Sequence, residues 1–456
     1  MVQGTRWREG EAGHNVSWRE HTGDTSRSPT VSTILQQIAE QAVGCPDLVF
    51  STLAHHMGVD FLREAYARTR KDSAPGVDRV TAEDYARDLE SNLVDLHERL
   101  RSGKYRAPPV ERVWIAKEDG KQRPIGKPTF EDKIVQRAVH MLMSAVYEKD
   151  FHDFSYGFRA GISAHKALHD LRKQGVDLKA KWIIDADISG FFDNIDHSKL
   201  VEIIRLRIND GALIRLIGKW LNAGVLEAGK TSYPDMGTPQ GGVISPLLAN
   251  IFLHHVLDEW FVKMAKPCMK GQVFLIRFAD DFVIGCDREE DARSLMAVLP
   301  KRFGKFGLTI HPTKTRLVSF QPPDDGDSGG GDSTFDFLGF THYWGKSRSG
   351  TWVIKRRTSG KRLRRAKVAI WRWCRKERHS SIKDQYRMLC LKLRGHFQYY
   401  GIRGNYGFLE SVKAFVEKAW HYWLSRRSND GYIRWAKFQE LLKVFVLPTP
   451  RIFHYV

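Results

Sequence analysis

Three aspartates carry the most legible chemistry in this chain of 456 residues. Asp187 closes the apolar run Trp182-Ile183-Ile184-Asp185-Ala186-Asp187-Ile188, and Asp280-Asp281 lie in a tight turn between the apolar runs 273–278 and 282–286. Side chains alternate along a strand, so Asp185 and Asp187 share a face, and a sheet that pairs these segments aims carboxylates from distant parts of the chain at one point. Carboxylates so gathered need cations, and hard oxygen ligands suit Mg²⁺. Two such ions about 3.5 to 4 Å apart activate an attacking hydroxyl and stabilise a leaving pyrophosphate in in-line phosphoryl transfer. The backbone carbonyl of Ile188 can complete the shell. An isolated Asp-Asp in a turn would ordinarily do no more than cap its hairpin, so the surrounding residues decide between the two readings.

The elements that must hold these acids follow from periodicity and breakers. Helical spacing runs over 31–43, 59–70, 82–100, 133–147, 198–223 and 246–264, with a break at Ser73-Ala74-Pro75-Gly76. Asp119-Gly120 between the short runs 113–117 and 121–125 predicts a β-hairpin with Lys117, Lys121 and Arg123 near its tip. The runs on either side of Asp280-Asp281 predict a second hairpin. Helices and strands alternate without a regular β-α-β rhythm, which predicts an α+β body. Residues 1–30 read as a disordered leader and 322–333 as a flexible acidic loop, while beyond Arg356 the pattern is almost wholly helical. The expected division is a leader over 1–52, a body over 53–345 and a basic helical domain over 346–456.

Charge is distributed unevenly. The chain carries 72 Lys and Arg against 53 Asp and Glu, a formal charge of +19. Residues 346–456 hold 27 basic and 6 acidic side chains, a net +21, so the rest of the chain is close to neutral. Such asymmetry points to a dedicated polyanion-binding region. Between Lys346 and Arg378 there are 14 basic residues and one acid, interleaved with Trp352, Trp371 and Trp373. Basic groups neutralise phosphate while aromatic faces stack on unpaired bases. Lys355, Arg356, Arg357, Lys361, Arg362, Arg364, Arg365 and Arg394 are the candidate nucleic-acid contacts, and Phe397, Tyr400 and Trp420 are expected in the core of the helical region. The five cysteines show neither a disulfide framework nor zinc spacing, which fits a reducing compartment. No signal peptide or membrane span is expected, so a cytoplasmic, nucleic-acid-associated protein is anticipated.

Three stretches carry a resemblance. They are Asp185-Ala186-Asp187-Ile188-Ser189-Gly190-Phe191-Phe192-Asp193, Gly237-Thr238-Pro239-Gln240-Gly241-Gly242-Val243-Ile244-Ser245-Pro246 and Arg277-Phe278-Ala279-Asp280-Asp281. They resemble, in family order, the group II intron-encoded reverse transcriptases of the reverse transcriptase/maturase family, and the likeness runs from about residue 53 to 455. The resemblance implies a right-hand polymerase, with fingers and an antiparallel palm sheet followed by an α-helical thumb/maturase domain. It makes Asp187, Asp280 and Asp281 the catalytic triad around two Mg²⁺ ions. Phe278 stands where most members have Tyr. Phe192 matches the bulky residue that excludes a ribose 2′-OH, Gln240 the element packed on the incoming nucleotide, and Lys117 and Arg123 the cations on its triphosphate. Lys314, in His311-Pro312-Thr313-Lys314-Thr315, matches a later palm motif as a proton donor to pyrophosphate, and Phe335-Asp336-Phe337-Leu338-Gly339-Phe340 matches the primer grip. The implied partners are a group II intron RNA, a DNA target and primer, and dNTPs. Neither an HNH endonuclease, whose paired cysteines are missing after Arg427, nor the Val-Thr-Gly motif of retron enzymes is expected.

One competing motif is set aside on context. Gly224 to Thr231 fits the P-loop pattern, yet that mechanism needs a strand before it and a helix opening at Lys230, whereas a helix precedes it and Tyr233-Pro234 follows. The expected function is RNA-directed DNA synthesis together with intron binding, splicing assistance and mobility by target-primed reverse transcription. The rivals are a splicing maturase with little polymerase activity and a domesticated reverse transcriptase in defence or repair.

Overall fold

A computed structural model describes residues 30–116, 122–227, 230–232, 236–237, 241–322, 333–428 and 430–455. Eleven strands occur among them, in chain order β1 (Val110–Ala116), β2 (Gln122–Lys127), β3 (Trp182–Ala186), β4 (Val225–Glu227), β5 (Lys230–Ser232), β6 (Val273–Phe278), β7 (Asp281–Cys286), β8 (Arg316–Ser319), β9 (Phe335–Phe337), β10 (Phe340–Lys346) and β11 (Trp352–Thr358). They make three sheets, ordered β2-β1-β4-β5, β6-β7-β3-β8 and β11-β10-β9. Pairing is antiparallel except between β1 and β4. With helices on the sheets and before and after them among the described residues, the α+β expectation holds.

The second sheet is central and is covered on both faces. Ile184, Ala186, Leu275, Phe282 and Ile284 share a core with Leu295, Leu299 and Phe303 of the helix Glu289–Gly304. Alternation turns Ile183, Phe274, Ile276 and Val283 the other way, into a core with Leu168 and Leu171 of the helix Ala164–Asp177. Burial on both sides explains why β6 reads as an unbroken apolar run with one charged exception, Arg277. The segment expected as one apolar helix over 246–264 is an α-helix, Ser245–Leu253, that continues through the π-helical turns His254–Glu259 and Phe261–Ala265.

Other expected helices divide where a cap intervenes. The 82–100 stretch is two helices, Ala82–Arg87 and Leu89–Arg101, the first opened by a reciprocal Thr81–Asp84 capping box and the two divided at Asp88. The 198–223 stretch is likewise His197–Arg205 and Gly211–Leu221. Asp210 accepts hydrogen bonds from the amides of Ala212 and Leu213 on one oxygen and of Leu53 and Ala54 on the other, so one carboxylate caps the helix Gly211–Leu221 and also holds the start of the 3₁₀ turn Ala54–His56. Arg207 donates to the carbonyls of Ala42, Cys45 and Leu48, satisfying acceptors that the C-terminus of the helix Val31–Gly44 leaves over.

Four helices follow β11: Gly360–Lys376, Ile382–Tyr400, Tyr406–Leu424 and Trp435–Val444. Their core holds Phe397 and Trp420, whose indole donates to Gln385, with Tyr400 half-buried at its edge. The position 345/346, expected as a domain division, is the end of β10, whose seven residues all pair with β11. No helix among the described residues is long and apolar enough to cross a membrane.

Candidate active site

The central sheet brings the acids of distant segments onto one face. In the β3–β7 register Asp185 faces Val283 and Ala186 faces Phe282, so the next step sets Asp187 beside Asp281. Residues directly opposite in an antiparallel pair project to the same side. Strands β6 and β7 join through Ala279 and Asp280 alone, Phe278 pairing with Asp281. Ala279 adopts the left-handed conformation (φ 58°) that such a two-residue turn demands and that costs an L-residue about 1 kcal/mol.

Several contacts hold that strained turn. Gly157 packs so closely beneath it that a Cβ there would stand 2.2 Å from the Ala279 nitrogen. Arg277, fully buried, donates through Nη1 to the Ala279 carbonyl (3.1 Å) and to Asn250 Oδ1 (3.1 Å), through Nη2 to Ser155 Oγ (2.6 Å) and through Nε to Asp258 Oδ1 (2.8 Å). Asn250 in turn donates to the Gly157 carbonyl (2.6 Å). Burial alone would raise the Asp258 carboxyl, but the Arg277 guanidinium, aided by His254, holds it below the usual carboxylate range. The sequence reading gave Arg277 no role. A lone Arg in an apolar strand next to the acids was the signal available, since a buried charge requires a partner.

Asp187 is braced from the opposite side. Its amide donates to Thr315 Oγ1 (3.2 Å), its carbonyl accepts from the His311 amide (2.8 Å), and its Oδ2 accepts from Lys314 Nζ (2.9 Å). The 311–315 segment thus wraps the residue. Ile188 forms a bridge with Ile310. Because the Asp187 carbonyl is turned toward His311, alternation turns the Ile188 carbonyl away from it, toward the side on which β7 lies. Phe192 is buried in the short 3₁₀ turn Phe191–Asp193, edge-on to Phe191 at 5.3 Å.

The electrostatics of the group are those of crowded carboxylates. Solvent reaches Asp281 from the open side while protein surrounds it on the others; its carboxyl is pushed up to about 7, first by desolvation and then by Asp280, Asp187 and Asp185, with Arg362 opposing. Asp185 is also raised, again by burial first, and Arg316 (Nε to Oδ2, 3.1 Å) offsets this in part. A carboxyl raised by its acidic neighbours as Asp281 is gains from a cation beside it, and the hard oxygens gathered here fit Mg²⁺. Asp187, Asp280 and Asp281, with the Ile188 carbonyl, would hold it.

Lys117 and Gln240 lie outside the described residues, as does the side chain of Arg123, so only the frame around them can be given. β1 and β2 pair from Glu111–Lys127 to Ala116–Gln122, which makes the expected hairpin. Downstream of Gln240, Gly241 (φ +114°) sits against the Gly126 carbonyl, 2.3 Å from where its Cβ would be, and Gln136 Oε1 accepts from the Val243 amide (2.7 Å). The segment 241–243 is thereby fixed between β2 and the helix Phe130–Asp150. The P-loop-like stretch is a β4–β5 hairpin, not a helix opening at Lys230.

Among the candidate RNA contacts, Arg357, Lys361, Arg362, Arg364, Arg365 and Arg394 are exposed and Lys355 half-exposed. Arg356 differs. It is buried, with Nη1 donating to the Leu168 carbonyl (3.0 Å), and burial followed by Arg172 lowers it to about 10. The expectation that it lies on the basic surface is corrected: Ile354, Arg356 and Thr358 form the inward face of β11.

A family model described as reverse transcriptase (RNA-dependent DNA polymerase) matches residues 115–342, half of the chain. The group II intron-encoded protein LtrA of Lactococcus lactis subsp. cremoris is 38% identical over 241 residues, covering 52% of this chain and 39% of that protein. Protein YkfC of Escherichia coli (strain K12) is 42% identical over 238 residues, covering 46% of this chain and 62% of its own. The telomerase reverse transcriptase of Oryzias latipes is 25% identical over 293 residues, 62% of this chain and 24% of that one. The chain thus matches less than two thirds of the length of each of these relatives.

Proposed function

The chain belongs to the reverse transcriptase family, in its group II intron reverse transcriptase/maturase branch, and from that premise we propose that it is an RNA-directed DNA polymerase acting on a group II intron RNA. The observation that carries the reading is the meeting of Asp187 and Asp281 on one sheet face, with Asp280 in the adjoining turn. In this reading β3, β6, β7 and β8 are the palm, the β1–β2 hairpin belongs to the fingers, and the four C-terminal helices are the thumb and RNA-binding domain.

Mg²⁺ bound at these carboxylates would supply charge neutralisation for phosphoryl transfer from a dNTP to a primer 3′-OH. The chain's own residues do the rest. Arg277 and Gly157 keep the turn in the conformation that presents Asp280. Phe192 sets an apolar wall against a ribose 2′-OH. Lys314 keeps an ammonium beside Asp187, where it can give a proton to the leaving pyrophosphate. The exposed basic face of the helix Gly360–Lys376 binds the intron RNA, and that binding supports splicing and target-primed copying.

Primer extension on a poly(rA) template with oligo(dT) and Mg²⁺ tests the proposal. The wild-type chain should extend the primer, and Asp280→Ala should abolish extension while leaving RNA binding intact. Extension that survives the substitution refutes the catalytic assignment; a wild-type chain that binds intron RNA without extending any primer favours a pure splicing maturase.

A further inference from the structure

A second group of metal-ligating side chains lies behind the carboxylate turn, and the proposed polymerase reaction makes no use of it. His152 follows the helix Phe130–Asp150, while His254 and Glu259 open and close the π-helical turn His254–Glu259. One nitrogen or oxygen from each of the three lies within 4.8 Å of the other two. His152 Nε2 is 2.7 Å from Glu259 Oε1, and His254 Nε2 is 3.9 Å from the same oxygen.

The backbone has to depart from the α-helix to make this group. Residues five apart stand about 140° round an α-helix, so His254 and Glu259 would diverge. A π-helical turn, whose hydrogen bonds run from i to i+5, returns them to one face, and such turns cluster at functional sites. His152 is brought up by its own loop, where its carbonyl accepts from Arg159 Nη1 (2.9 Å) and from the Ser155 amide (3.1 Å). Tetrahedral zinc with nitrogen and oxygen ligands at about 2.0 to 2.1 Å has ligand–ligand edges of about 3.4 Å. The observed separations bracket that value, and the half-buried side chains can reach it by small rotations.

The surroundings are those of an ordered imidazole ligand. His254 Nδ1 is buried and makes no hydrogen bond, yet lies 3.7 Å from Asp258 Oδ2. A carboxylate on the far nitrogen is the usual outer partner of a metal-bound histidine and leaves Nε2 free to coordinate. Lys263 pairs with Glu259 through the other oxygen, Oε2, and is itself largely exposed.

We propose that His152, His254 and Glu259 bind a zinc ion, separate from the Mg²⁺ carboxylates, with a fourth position left to water. Asp258 is the outer partner of His254 and also the counter-charge of Arg277, which holds the Ala279 carbonyl. The ion would therefore brace the turn that carries Asp280.

The test uses the full chain, stripped with chelator and titrated calorimetrically with Zn²⁺ in excess Mg²⁺, which saturates the carboxylate site. One equivalent should bind, and His152→Ala and Glu259→Gln should each weaken it by roughly a hundredfold, beyond much of the range for lost outer partners. The double variant Cys45→Ser/Cys268→Ser, which removes the exposed thiols, should bind as wild type. Co²⁺ in place of Zn²⁺ should give the intense visible bands of a tetrahedral nitrogen–oxygen site. Absence of tight binding, ligand variants that bind as wild type, or a thiolate charge-transfer band would each overturn the proposal. Should the His152 variant fail to fold, diethyl pyrocarbonate mapping of the wild-type chain decides: Zn²⁺ protects His152 and His254 if the site exists and protects neither if it does not.

Discussion

Replacing Arg277 by Met should separate what this residue does for stability from what it does for the turn. The guanidinium and Asp258 are both fully buried, and the substitution leaves a carboxylate in the core whose remaining partner among the described residues is His254, at 3.7 Å. Breaking a buried pair on one side costs about 3 to 5 kcal/mol. Ser155, Asn250 and the Ala279 carbonyl lose a donor as well, and each buried polar atom left unsatisfied costs about 1 to 3 kcal/mol. Proton uptake by Asp258 and local relaxation limit the sum, so a loss of about 4 kcal/mol in guanidinium unfolding is expected, a large share of the 5 to roughly 15 kcal/mol typical of a folded chain. The double variant Arg277→Met/Asp258→Leu removes both charges and should regain the part of that stability owed to the unpaired carboxylate. It does not restore the tether to Ala279, so primer extension should stay well below wild type in both variants. A single variant within about 1 kcal/mol of wild type, or a double variant with full extension, would show that Arg277 does not hold the turn in this way.

Three further outcomes follow from particular residues. Phe192→Val shortens the apolar wall and should lower discrimination of dNTP over rNTP by roughly tenfold to a hundredfold in single-nucleotide incorporation, the scale of a changed pocket contact; unchanged discrimination would return Phe192 to plain packing. His342 is fully buried against Phe335, and burial, followed by Arg356, lowers it to about 3. Its folded pKa lies below the unfolded value of about 6.5, so the stability it contributes is complete above that value and is lost as pH falls toward 3. At pH 5 the loss is about 2 kcal/mol, and His342→Phe should remove that part of the difference between urea midpoints at pH 7.5 and 5. Lys361→Ala/Arg364→Ala should flatten the salt dependence of RNA binding by about 0.7 in slope per lost phosphate contact, whereas Arg356→Gln should lower stability and leave the slope unchanged.

The parts of the fold that local physics decides were readable from the residues. The Asp280 hairpin follows from two apolar runs around a tight turn, and the first hairpin from Asp119-Gly120; the turn was expected to include Asp281, which instead pairs with Phe278 as the first residue of β7. What alternation and spacing do not encode is which distant segments pair. Nothing local to Val110 announces its parallel partner Val225, and nothing near Phe335 announces the separate sheet that β9 makes with β10 and β11. Helix breaks at Asp88 and Asp210 were missed because the apolar spacing continues across them, although both are capping residue types. The same distinction holds for the site. Asp187 and Asp281 could be chosen from sequence, but the Arg277 network depends on Ser155, Asn250 and Asp258, which only the fold brings together. Arg356 was assigned to the surface by its basic neighbours, when its parity with Ile354 already placed it inward.

Carboxylates from β3 and from the β6–β7 turn are proposed to share one cation site, and affinity cleavage tests this directly. Fe²⁺ in place of Mg²⁺, with ascorbate and peroxide, cuts the backbone beside the bound ion. Two zones of cleavage are expected, around Asp187 and around Asp280, that fade together when Mg²⁺ is added and are both lost in Asp280→Ala. Cleavage at one of these segments without the other, or at Asp187 undiminished by loss of the Asp280 carboxylate, would contradict it.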